Sequence, residues 1–420
     1  MTIPAFAINL KSRPDRKAHI ESEFEGQMGF ATHVEEATEH TKGAIGLWKS
    51  IRKIVTKANN ESLEYILLCE DDHCFTEHYN YKFLQQSVRD AQEKKADLLC
   101  GGVSWFKTGI QISKNLFWVE KFSGLQFTII FRKFYQKILC VKDFSEYDAA
   151  DYKLSDLTNK KFVIYPYMST QKDFGYSDVT LRNNLRGRVE QLFADSSERF
   201  ELLRNIKDYY SGIKTITSDL DESETENIII PIYTIVERAI SRFGKIPGKS
   251  SFEQTVIEAG GDNIQEKWKA LCSCVQQAQK NSDDFIIITF DHIVLNSSFK
   301  KTKLLNNIIF ANNYGSELLL GNIEMFNHAV PIANNLFWVD SFSYSSFIIL
   351  FSPIFEKVIS VPPSDNEDIY SYFSYLTSHK LVLYPFIADI KATGMKTPGF
   401  QERGEQLSIY RQVHQTYGMI

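Results

Sequence analysis

The apolar and polar positions along the chain follow the pattern of an α/β protein. The apolar segment 3–10, IPAFAINL, precedes a polar segment at 11–24 with a proline near its start, which predicts a strand followed by a helix. In segment 43–58 the apolar residues recur at helical spacing, which predicts a second helix. The continuous apolar run at 65–69, YILLC, is typical of a strand that is buried on both faces of a largely parallel sheet.

Further apolar runs predict the elements that complete the first half of the chain. We expect, in chain order, a helix near 79–94, a strand at 96–102, a strand pair within 117–131, a helix from Arg132, a strand at 161–168 and a helix at 187–212. Three acidic residues, Glu70, Asp71 and Asp72, directly follow the buried strand. They are therefore expected at the carboxyl end of a sheet strand, where open α/β sheets bind ligands.

The same pattern occurs twice in the chain. Residues 115–120 read NLFWVE and residues 335–340 read NLFWVD, an offset of 220 residues. With this offset, EYILLCEDDHCF at 64–75 aligns with DFIIITFDHIVL at 284–295. The three consecutive carboxylates of the first copy therefore align with a single carboxylate in the second. A repeat of this length predicts two whole domains of similar fold rather than a stacked array. We expect the first copy to be a candidate enzyme and the second a candidate pseudo-enzyme.

The segment SDLDESETEN at 218–227 is the best candidate for a linker, because it is polar, acidic and almost without apolar residues. The predicted domains are therefore 1–217, which carries the candidate catalytic residues, and 228–420, a degenerate copy with a structural or acceptor-binding role. Near the end of the repeats the offset becomes 219, which places Tyr370 over Asp151. The second copy thus lacks this late acid as well.

Composition agrees with two ordinary domains. The chain has 420 residues, of which 43% are hydrophobic, and this is enough to bury two cores. The net charge of −5 and the pI near 6.0 argue against a nucleic-acid partner. No apolar run approaches the roughly 18 residues of a membrane span, and the first residues lack the pattern of a signal peptide. We therefore expect a cytoplasmic protein without a membrane span, whose six cysteines are mostly buried thiols.

The three adjacent carboxylates suggest a metal site. Like charges at a strand end repel one another, and each costs desolvation energy if it is partly buried. A divalent cation would compensate this cost, and hard oxygen ligands suit Mn²⁺ or Mg²⁺. The alternative interpretation is a solvated acidic turn that only ends the strand.

Five segments occur in an order that resembles glycosyltransferase family 25, which contains lipopolysaccharide galactosyltransferases and collagen hydroxylysine galactosyltransferases. They are INLKSRPDR, GAIGLWKS, LLCEDD, DAADYKLSDL and QKDFGYSDV. The resemblance covers roughly residues 3–186 and implies a GT-A-type, Rossmann-like fold, so the duplication implies two tandem GT-A-like domains, the second degenerate. It also implies inverting transfer from a UDP-sugar, with an acidic metal motif.

The resemblance assigns roles to individual residues. Glu70 and Asp72 match the outer carboxylates of the metal motif, and Ile51 stands where the family usually has a histidine. Arg13 or Arg16 would contact the pyrophosphate of the donor, or would instead form a helix-start ion pair with Asp15. The residues expected at the donor site are Asn9, Leu10, Arg13, Asp15, Arg16, Gly43, Gly46, Ser50 and Asp71.

An inverting transferase also needs a base that takes the proton of the acceptor hydroxyl. Asp151 is the candidate by resemblance, with Asp148 and Asp178 as substitutes. The alternative interpretation of Asp148 and Asp151 is that they are acids near a helix N-terminus, and Asp178 could be an N-cap.

The sequence therefore supports two hypotheses. The first is a metal-dependent inverting glycosyltransferase that moves a hexose, with galactose or glucose favoured, from a UDP-sugar to a hydroxyl of a glycan, peptide or small molecule. The second is a non-catalytic nucleotide-sugar-binding or scaffold protein built from two pseudo-glycosyltransferase domains. Retention of the three acids and of the INLKSRPDR segment favours the first hypothesis.

Overall fold

Two α/β units of the same topology make up the described part of the chain. The computed structural model describes residues 2–175, 185, 187–214, 220–237, 251–290, 293–333, 335–390 and 398–418. Unit 1 comprises Met1–Arg204 with Val413–Ile420, and unit 2 comprises Asn205–Gln412. The predicted fold class of two tandem GT-A-like α/β domains is confirmed by this architecture.

Unit 1 contains the predicted strands and helices, and it also has elements at Phe30–Glu36, Gly109–Ser113 and Ala150–Asp156 that were not predicted. The prediction of a strand pair within 117–131 was wrong, because the strands Leu116–Val119 and Phe127–Phe131 each pair with other strands. Its strands are β1 (Ile3–Asn9), β2 (Phe30–Glu36), β3 (Tyr65–Glu70), β4 (His73–Phe75), β5 (Leu98–Cys100), β6 (Trp105–Phe106), β7 (Gly109–Ser113), β8 (Leu116–Val119), β9 (Phe122–Ser123), β10 (Phe127–Phe131), β11 (Lys161–Ile164) and β12 (Ser169–Gln171). Its helices are α1 (Pro14–Phe24), α2 (Gly43–Asn60), α3 (Tyr81–Glu93), α4 (Arg132–Leu139), α5 (Ala150–Asp156) and α6 (Arg188–Ser211), which extends beyond the unit boundary.

The main sheet of unit 1 has the order β2-β1-β3-β10-β5-β11-β8-β7. β1 runs parallel to β2 and β3, and β5 runs parallel to β11, whereas β10 is antiparallel to both of its neighbours. The sheet is therefore mixed rather than largely parallel. Because helices cover β3, its residues Ile66 to Cys69 are all buried, as the continuous apolar run predicts.

Unit 2 repeats this arrangement. Its strands are β13 (Ile230–Glu237), β14 (Phe252–Ala259), β15 (Phe285–Thr289), β16 (Ile293–Leu295), β17 (Leu318–Leu320), β18 (Ala329–Ala333), β19 (Leu336–Val339), β20 (Ile348–Phe351), β21 (Lys380–Leu383) and β22 (Ala388–Ile390). Its helices are α7 (Glu222–Thr225), α8 (Ile264–Asn281), α9 (Lys301–Asn313), α10 (Phe355–Ser360), α11 (Ile369–Leu376) and α12 (Pro398–Tyr417), which extends beyond the unit boundary. Its main sheet has the order β14-β13-β15-β20-β17-β21-β19-β18, which matches unit 1 strand for strand.

Buried polar details recur with the strand order. Lys161 Nζ donates to the carbonyl oxygens of Ser155 and Thr158, at 2.7 and 2.5 Å, and so ties β11 to the end of α5. Lys380 makes the same two bonds at the end of α11, at 2.8 and 2.7 Å. Burial lowers the pKa of each lysine to about 8. The two copies therefore share their internal framework as well as their topology.

The acidic segment 218–227 is partly described. Asp221 caps α7, where its side chain accepts from the N–H of Glu224 and the Glu224 side chain accepts from the N–H of Asp221. The domain limits inferred from the sequence, at 217 and 228, stay a prediction. Within the described ranges, no helix has both the length and the apolar content that crossing a membrane requires. All six cysteines are free, and Cys140 alone among them is exposed.

Candidate functional site

The register of two parallel strands brings the first site residues together. β1 and β3 pair with Ile8 beside Glu70, so Asn9 and Asp71 lie next to each other at the carboxyl ends of the strands. Asn9 Nδ2 donates to Asp71 Oδ2 at 2.8 Å, and both residues are buried. The acidic cluster is therefore anchored to the sheet through its central member.

Arg16 on α1 brings positive charge to the acidic cluster. Its Nη1 lies 3.1 Å from Asp71 Oδ1 and 3.4 Å from Asp72 Oδ2, and the arginine is buried. The guanidinium also lies over the ring of Phe174, with 4.6 Å between Cζ and the ring centroid. The sequence indicated a pyrophosphate contact or a pair with Asp15 for this residue. The structure adds a third role, which is to compensate the carboxylates from inside the protein.

Glu70 and Asp72 share a hydrogen-bond donor. The side-chain amide of Gln171 donates to Glu70 Oε2 and to Asp72 Oδ1, at 3.3 Å in each case. Burial, reinforced by Asp72, raises the pKa of Glu70 well above its usual range. Burial also raises the pKa of Asp72 to about 6, although Arg16 acts in the opposite direction. One guanidinium therefore leaves these two carboxyl groups short of positive charge.

Asp151 lies in the first turn of α5 and is held by the segment that follows β9. Ser123 Oγ donates to Asp151 Oδ2 at 2.6 Å, and the N–H of Gly124 donates to the same oxygen at 3.1 Å. Gly124 has a φ of 110°, a conformation that favours glycine and that presents its N–H to the carboxylate. The charge of Asp151 contributes to the raised pKa of Glu70. The candidate base and the candidate metal ligands therefore interact electrostatically.

These side chains line one cavity of about 760 Å³ in unit 1. The predicted site residues in its lining are Leu10, Arg13, Arg16, Gly43, Gly46, Glu70, Asp71, Asp72 and Asp151. At Gly46 the wall is tight, because a Cβ atom there would lie 2.6 Å from the carbonyl oxygen of Thr38. The structure thus brings nine of the fourteen predicted site residues to one cavity, although they come from separate parts of the sequence.

Two further predicted residues do not line the cavity but form hydrogen bonds to residues that do. Asn9 orients Asp71 without lining the cavity itself. Ser50 is buried in α2, where its hydroxyl donates to the Gly46 carbonyl at 2.9 Å and accepts from the N–H of Thr38 at 2.8 Å. It therefore holds the helix start against the neighbouring segment.

The other predicted residues lie elsewhere. Asp15 is exposed in the first turn of α1. Asp148 accepts from the N–H and the hydroxyl of Ser145, at 2.7 and 2.9 Å, and these bonds lower its pKa. It also pairs with Lys153 at 3.6 Å, and it is not part of the cavity lining. Asp178 lies outside the described residues.

Sequence reasoning missed several residues of the cavity. Gln171 and Lys172 lie close to the acids because β12 pairs with β4, which begins directly after Asp72. In this pairing Gln171 lies opposite His73. The N–H of Lys172 donates to the backbone carbonyl of Asp72 at 2.8 Å. Their segment, QKDFG, was among those that carry the family resemblance, and this signal could have found them.

Unit 2 has aromatic side chains at the positions of two acids of unit 1. At the repeat offsets, Phe290 occupies the position of Glu70 and Tyr370 that of Asp151. The two rings are in edge contact, with centroids 5.9 Å apart. Tyr344, at the position of Gly124, lies 4.5 Å from the ring of Tyr370. Apolar packing therefore replaces the carboxylate pair of unit 1.

Comparisons with known proteins give distant likenesses only. No protein-family model matches the chain, and no curated protein matches it. Among solved structures, a protein from STIV is similar at 14% identity and a TM-score of 0.27, over 40% of this chain and 84% of that one. UDP-glucose pyrophosphorylase complexed with UDP-glucose is similar at 10% identity and a TM-score of 0.27, over 48% of this chain and 81% of that one.

A third likeness covers more of the chain. Mannose-1-phosphate geranyltransferase from Thermus thermophilus is similar at 9% identity and a TM-score of 0.24, over 66% of this chain and 99% of that one. At such scores these likenesses carry no conclusion about function. Function therefore has to be argued from the site.

Proposed function

We propose that unit 1 is a metal-dependent inverting glycosyltransferase of the family 25 type, which moves a hexose from a UDP-sugar to a hydroxyl acceptor. The observation that carries the proposal is the convergence of Glu70, Asp72 and Asp151 on one cavity at the carboxyl ends of β1 and β3. Galactose and glucose are the favoured sugars by resemblance. The acceptor hydroxyl belongs to a glycan, a peptide or a small molecule.

The residues present suit a divalent cation. Glu70 and Asp72 offer hard oxygen ligands, and Gln171 orients one oxygen of each. Burial raises the pKa of both groups although Arg16 lies beside them, which supports a further cation at this site. Mn²⁺ or Mg²⁺ held by these two carboxylates would stabilise the negative charge on the departing diphosphate.

Cationic side chains in the cavity suit the donor diphosphate. Arg13 and Lys172 line the cavity together with Arg16, and the pairing of β12 with β4 brings Lys172 to the acidic cluster. We assign the diphosphate to the cationic group formed by Arg13, Arg16 and Lys172. Charge-assisted bonds to phosphate oxygens are stronger than neutral ones and would fix the donor in one orientation.

Asp151 suits the general base. Ser123 and Gly124 fix one carboxylate oxygen, so the group has a defined direction before the acceptor binds. In the reaction, the acceptor oxygen forms its bond to the anomeric carbon while the bond from that carbon to UDP breaks. The proton of the acceptor hydroxyl passes to Asp151, and a positioned base of this kind contributes about 10²- to 10⁴-fold to the rate.

Unit 2 is proposed to be structural or to bind the acceptor. The positions of Glu70 and Asp151 carry Phe290 and Tyr370, so one of the two proposed metal ligands and the proposed base have no counterparts there. The framework lysine at 380 and the strand order are nevertheless kept. Loss at the site with retention of the framework is typical of a pseudo-enzyme domain.

Release of UDP from UDP-galactose and from UDP-glucose, measured with and without Mn²⁺, tests the proposal on the full chain. We expect Mn²⁺-dependent release that chelation abolishes. Binding of UDP or of UDP-sugar without release or transfer would instead favour the non-catalytic nucleotide-sugar-binding alternative. Absence of any nucleotide binding, as measured by calorimetry, would contradict the assignment of this cavity to a nucleotide sugar.

A further inference from the structure

An exposed aromatic pair lies beside the candidate base. Trp105 on β6 and Tyr152 on α5 are 37% and 41% exposed. Their ring centroids are 6.2 Å apart and the planes are nearly perpendicular, at 83°. Tyr152 lines the cavity and directly follows Asp151 in the chain. Trp105 does not line the cavity itself, but it contacts Tyr152 and its neighbour Ser104 lines the cavity, so the pair extends from the cavity wall beside Asp151 to the exposed surface.

The strand pair that positions the base also positions the tryptophan. β6 and β9 are antiparallel with Trp105 opposite Ser123, and Ser123 holds the carboxylate of Asp151 at 2.6 Å. On the other side, Lys121 lies over the ring of Tyr152, with Nζ 5.4 Å from the ring centroid. The aromatic pair and the base are thus fixed relative to each other by short contacts.

Comparison of the two copies shows which aromatic residues the fold itself retains. At the offset of 220, Trp105 is replaced by Met325, and at the offset of 219, Tyr152 is replaced by Ser371. By contrast, the buried Trp118 is kept as Trp338, and each indole N–H donates to a backbone carbonyl, at 2.7 and 2.8 Å. The aromatic pair is therefore lost together with the acids, whereas an aromatic residue that the fold needs is retained.

We infer that Trp105 and Tyr152 form an acceptor platform for a pyranose ring, so the acceptor of the proposed transfer is a sugar. One face of a pyranose presents C–H groups, which bury apolar area against an aromatic ring while the hydroxyl groups around the rim stay free. A ring seated on the platform places a rim hydroxyl towards Asp151. The hydroxyl proton passes to Asp151, the hydroxyl oxygen bonds to the anomeric carbon of the donor, and the bond from that carbon to UDP breaks.

This inference rests on the proposed function, and the experiment compares acceptors. Transfer from UDP-galactose and UDP-glucose is measured to methyl β-D-galactopyranoside, to methyl β-D-glucopyranoside and to N-acetylserine methylamide, which carries a hydroxyl without a ring. For wild type we expect transfer to a glycoside in preference to the serine derivative. Equal use of the serine derivative would overturn the platform.

Variants test the aromatic residues directly. We expect Trp105→Ala to raise the KM for the glycoside about tenfold or more, since this corresponds to losing one good aromatic contact. The Kd for UDP should stay within about twofold, because the platform contacts the acceptor only. Trp105→Phe should restore most of the acceptor affinity. Tyr147→Ala is the control, because Tyr147 is an aromatic residue that is 92% exposed, and Trp105 rather than Tyr147 makes the ring contact with Tyr152.

Acceptor binding without a donor separates this inference from the proposed function. Saturation-transfer NMR with the two methyl glycosides should show contacts that Trp105→Ala weakens, and Tyr152→Leu offers a second variant that keeps apolar bulk. Glycoside binding that depends on Trp105, in a protein that releases no UDP, would support the platform and contradict the transferase. UDP release with glycoside contacts that Trp105→Ala leaves unchanged would contradict the platform and support the transferase.

Discussion

Arg16 Nη1 lies 3.1 Å from Asp71 Oδ1 in a buried ion pair beneath the candidate metal site. Asp71 also accepts from Asn9, so the middle carboxylate of the acidic cluster is satisfied inside the protein. All three acids line the cavity, and burial raises the pKa of the outer two, Glu70 and Asp72. We therefore assign the middle acid to the framework of the site and the outer acids to ligand binding.

The first prediction concerns the arginine. Arg16→Gln should destabilise the protein by about 3 to 5 kcal/mol, because it leaves buried carboxylates without their cation. Addition of Mn²⁺ should restore part of the loss if the ion occupies the neighbouring site, since binding to the native state alone stabilises it. Chemical denaturation of both forms measures this effect. Lys17→Gln, at an exposed position of the same helix, is the control and should cost little.

The second prediction concerns the metal. Asp72→Asn should remove most of the turnover while the melting temperature stays nearly unchanged, because neutralising one member of a like-charged cluster relieves repulsion. The measurement is Mn²⁺-dependent UDP release next to a thermal melt. Glu77→Gln, at an exposed acid shortly after the cluster, should behave like wild type. Full activity of the Asp72 variant in the presence of chelator would contradict the metal assignment.

The third prediction concerns pH. The raised pKa of Asp72, about 6, means that protons compete with a metal ion below that value. The Mn²⁺ affinity should therefore fall on acidification through about pH 6, and more steeply in wild type than in Asp72→Asn. Without metal, Asp72 is protonated in the native state but ionised in the unfolded chain when the pH lies between the ordinary pKa of 3.8 and the raised pKa of about 6. The contribution of Asp72 to stability should therefore fall as the pH rises through this window.

Titration calorimetry with Mn²⁺ at several pH values, on wild type and on Asp72→Asn, checks the third prediction. An Mn²⁺ affinity that does not change across the window would show that Asp72 is not a ligand.

The fourth prediction concerns the base. Asp151→Asn should lower transfer by about 10²-fold or more and leave the Kd for UDP within a few-fold, because a base acts on the acceptor. Asp148→Asn discriminates between the candidates, since Asp148 bonds to Ser145 and lies outside the cavity lining. If UDP affinity collapses in the Asp151 variant, this residue belongs to the donor site. Loss of transfer in the Asp148 variant alone would move the base to that position.

The fifth prediction concerns the aromatic replacement in unit 2. Tyr370→Ala removes ring contacts with Phe290 and Tyr344 and should lower stability by about 1 to 3 kcal/mol. Donor hydrolysis at saturating Mn²⁺ should not change. Tyr375→Ala lies on the same helix at an 81% exposed position and serves as the matched control. A large loss of donor hydrolysis in the folded Tyr370 variant would show that unit 2 takes part in the chemistry.

The sequence alone determined the fold class, the duplication and the position of the acids on the sheet. Continuous apolar runs such as YILLC report burial on both faces, and the repeated NLFWV segment fixes the offset because framework positions change little. These features depend on residues that are close together in the chain. For the same reason most elements could be predicted before any contact was known, although β2, β7 and α5 were missed.

Only the tertiary structure decided what each acid does. Nothing local distinguishes Asp71, which bonds to Asn9 and Arg16, from Asp72, which shares Arg16 but accepts from Gln171, because the difference depends on strand register and on the packing of α1. The mixed sheet was likewise hidden, since β10 reads as an apolar run whichever way it points. Pairing direction, burial and the electrostatic partners of a carboxylate depend on residues far apart in the sequence, so the fold had to bring them together before their roles could be assigned.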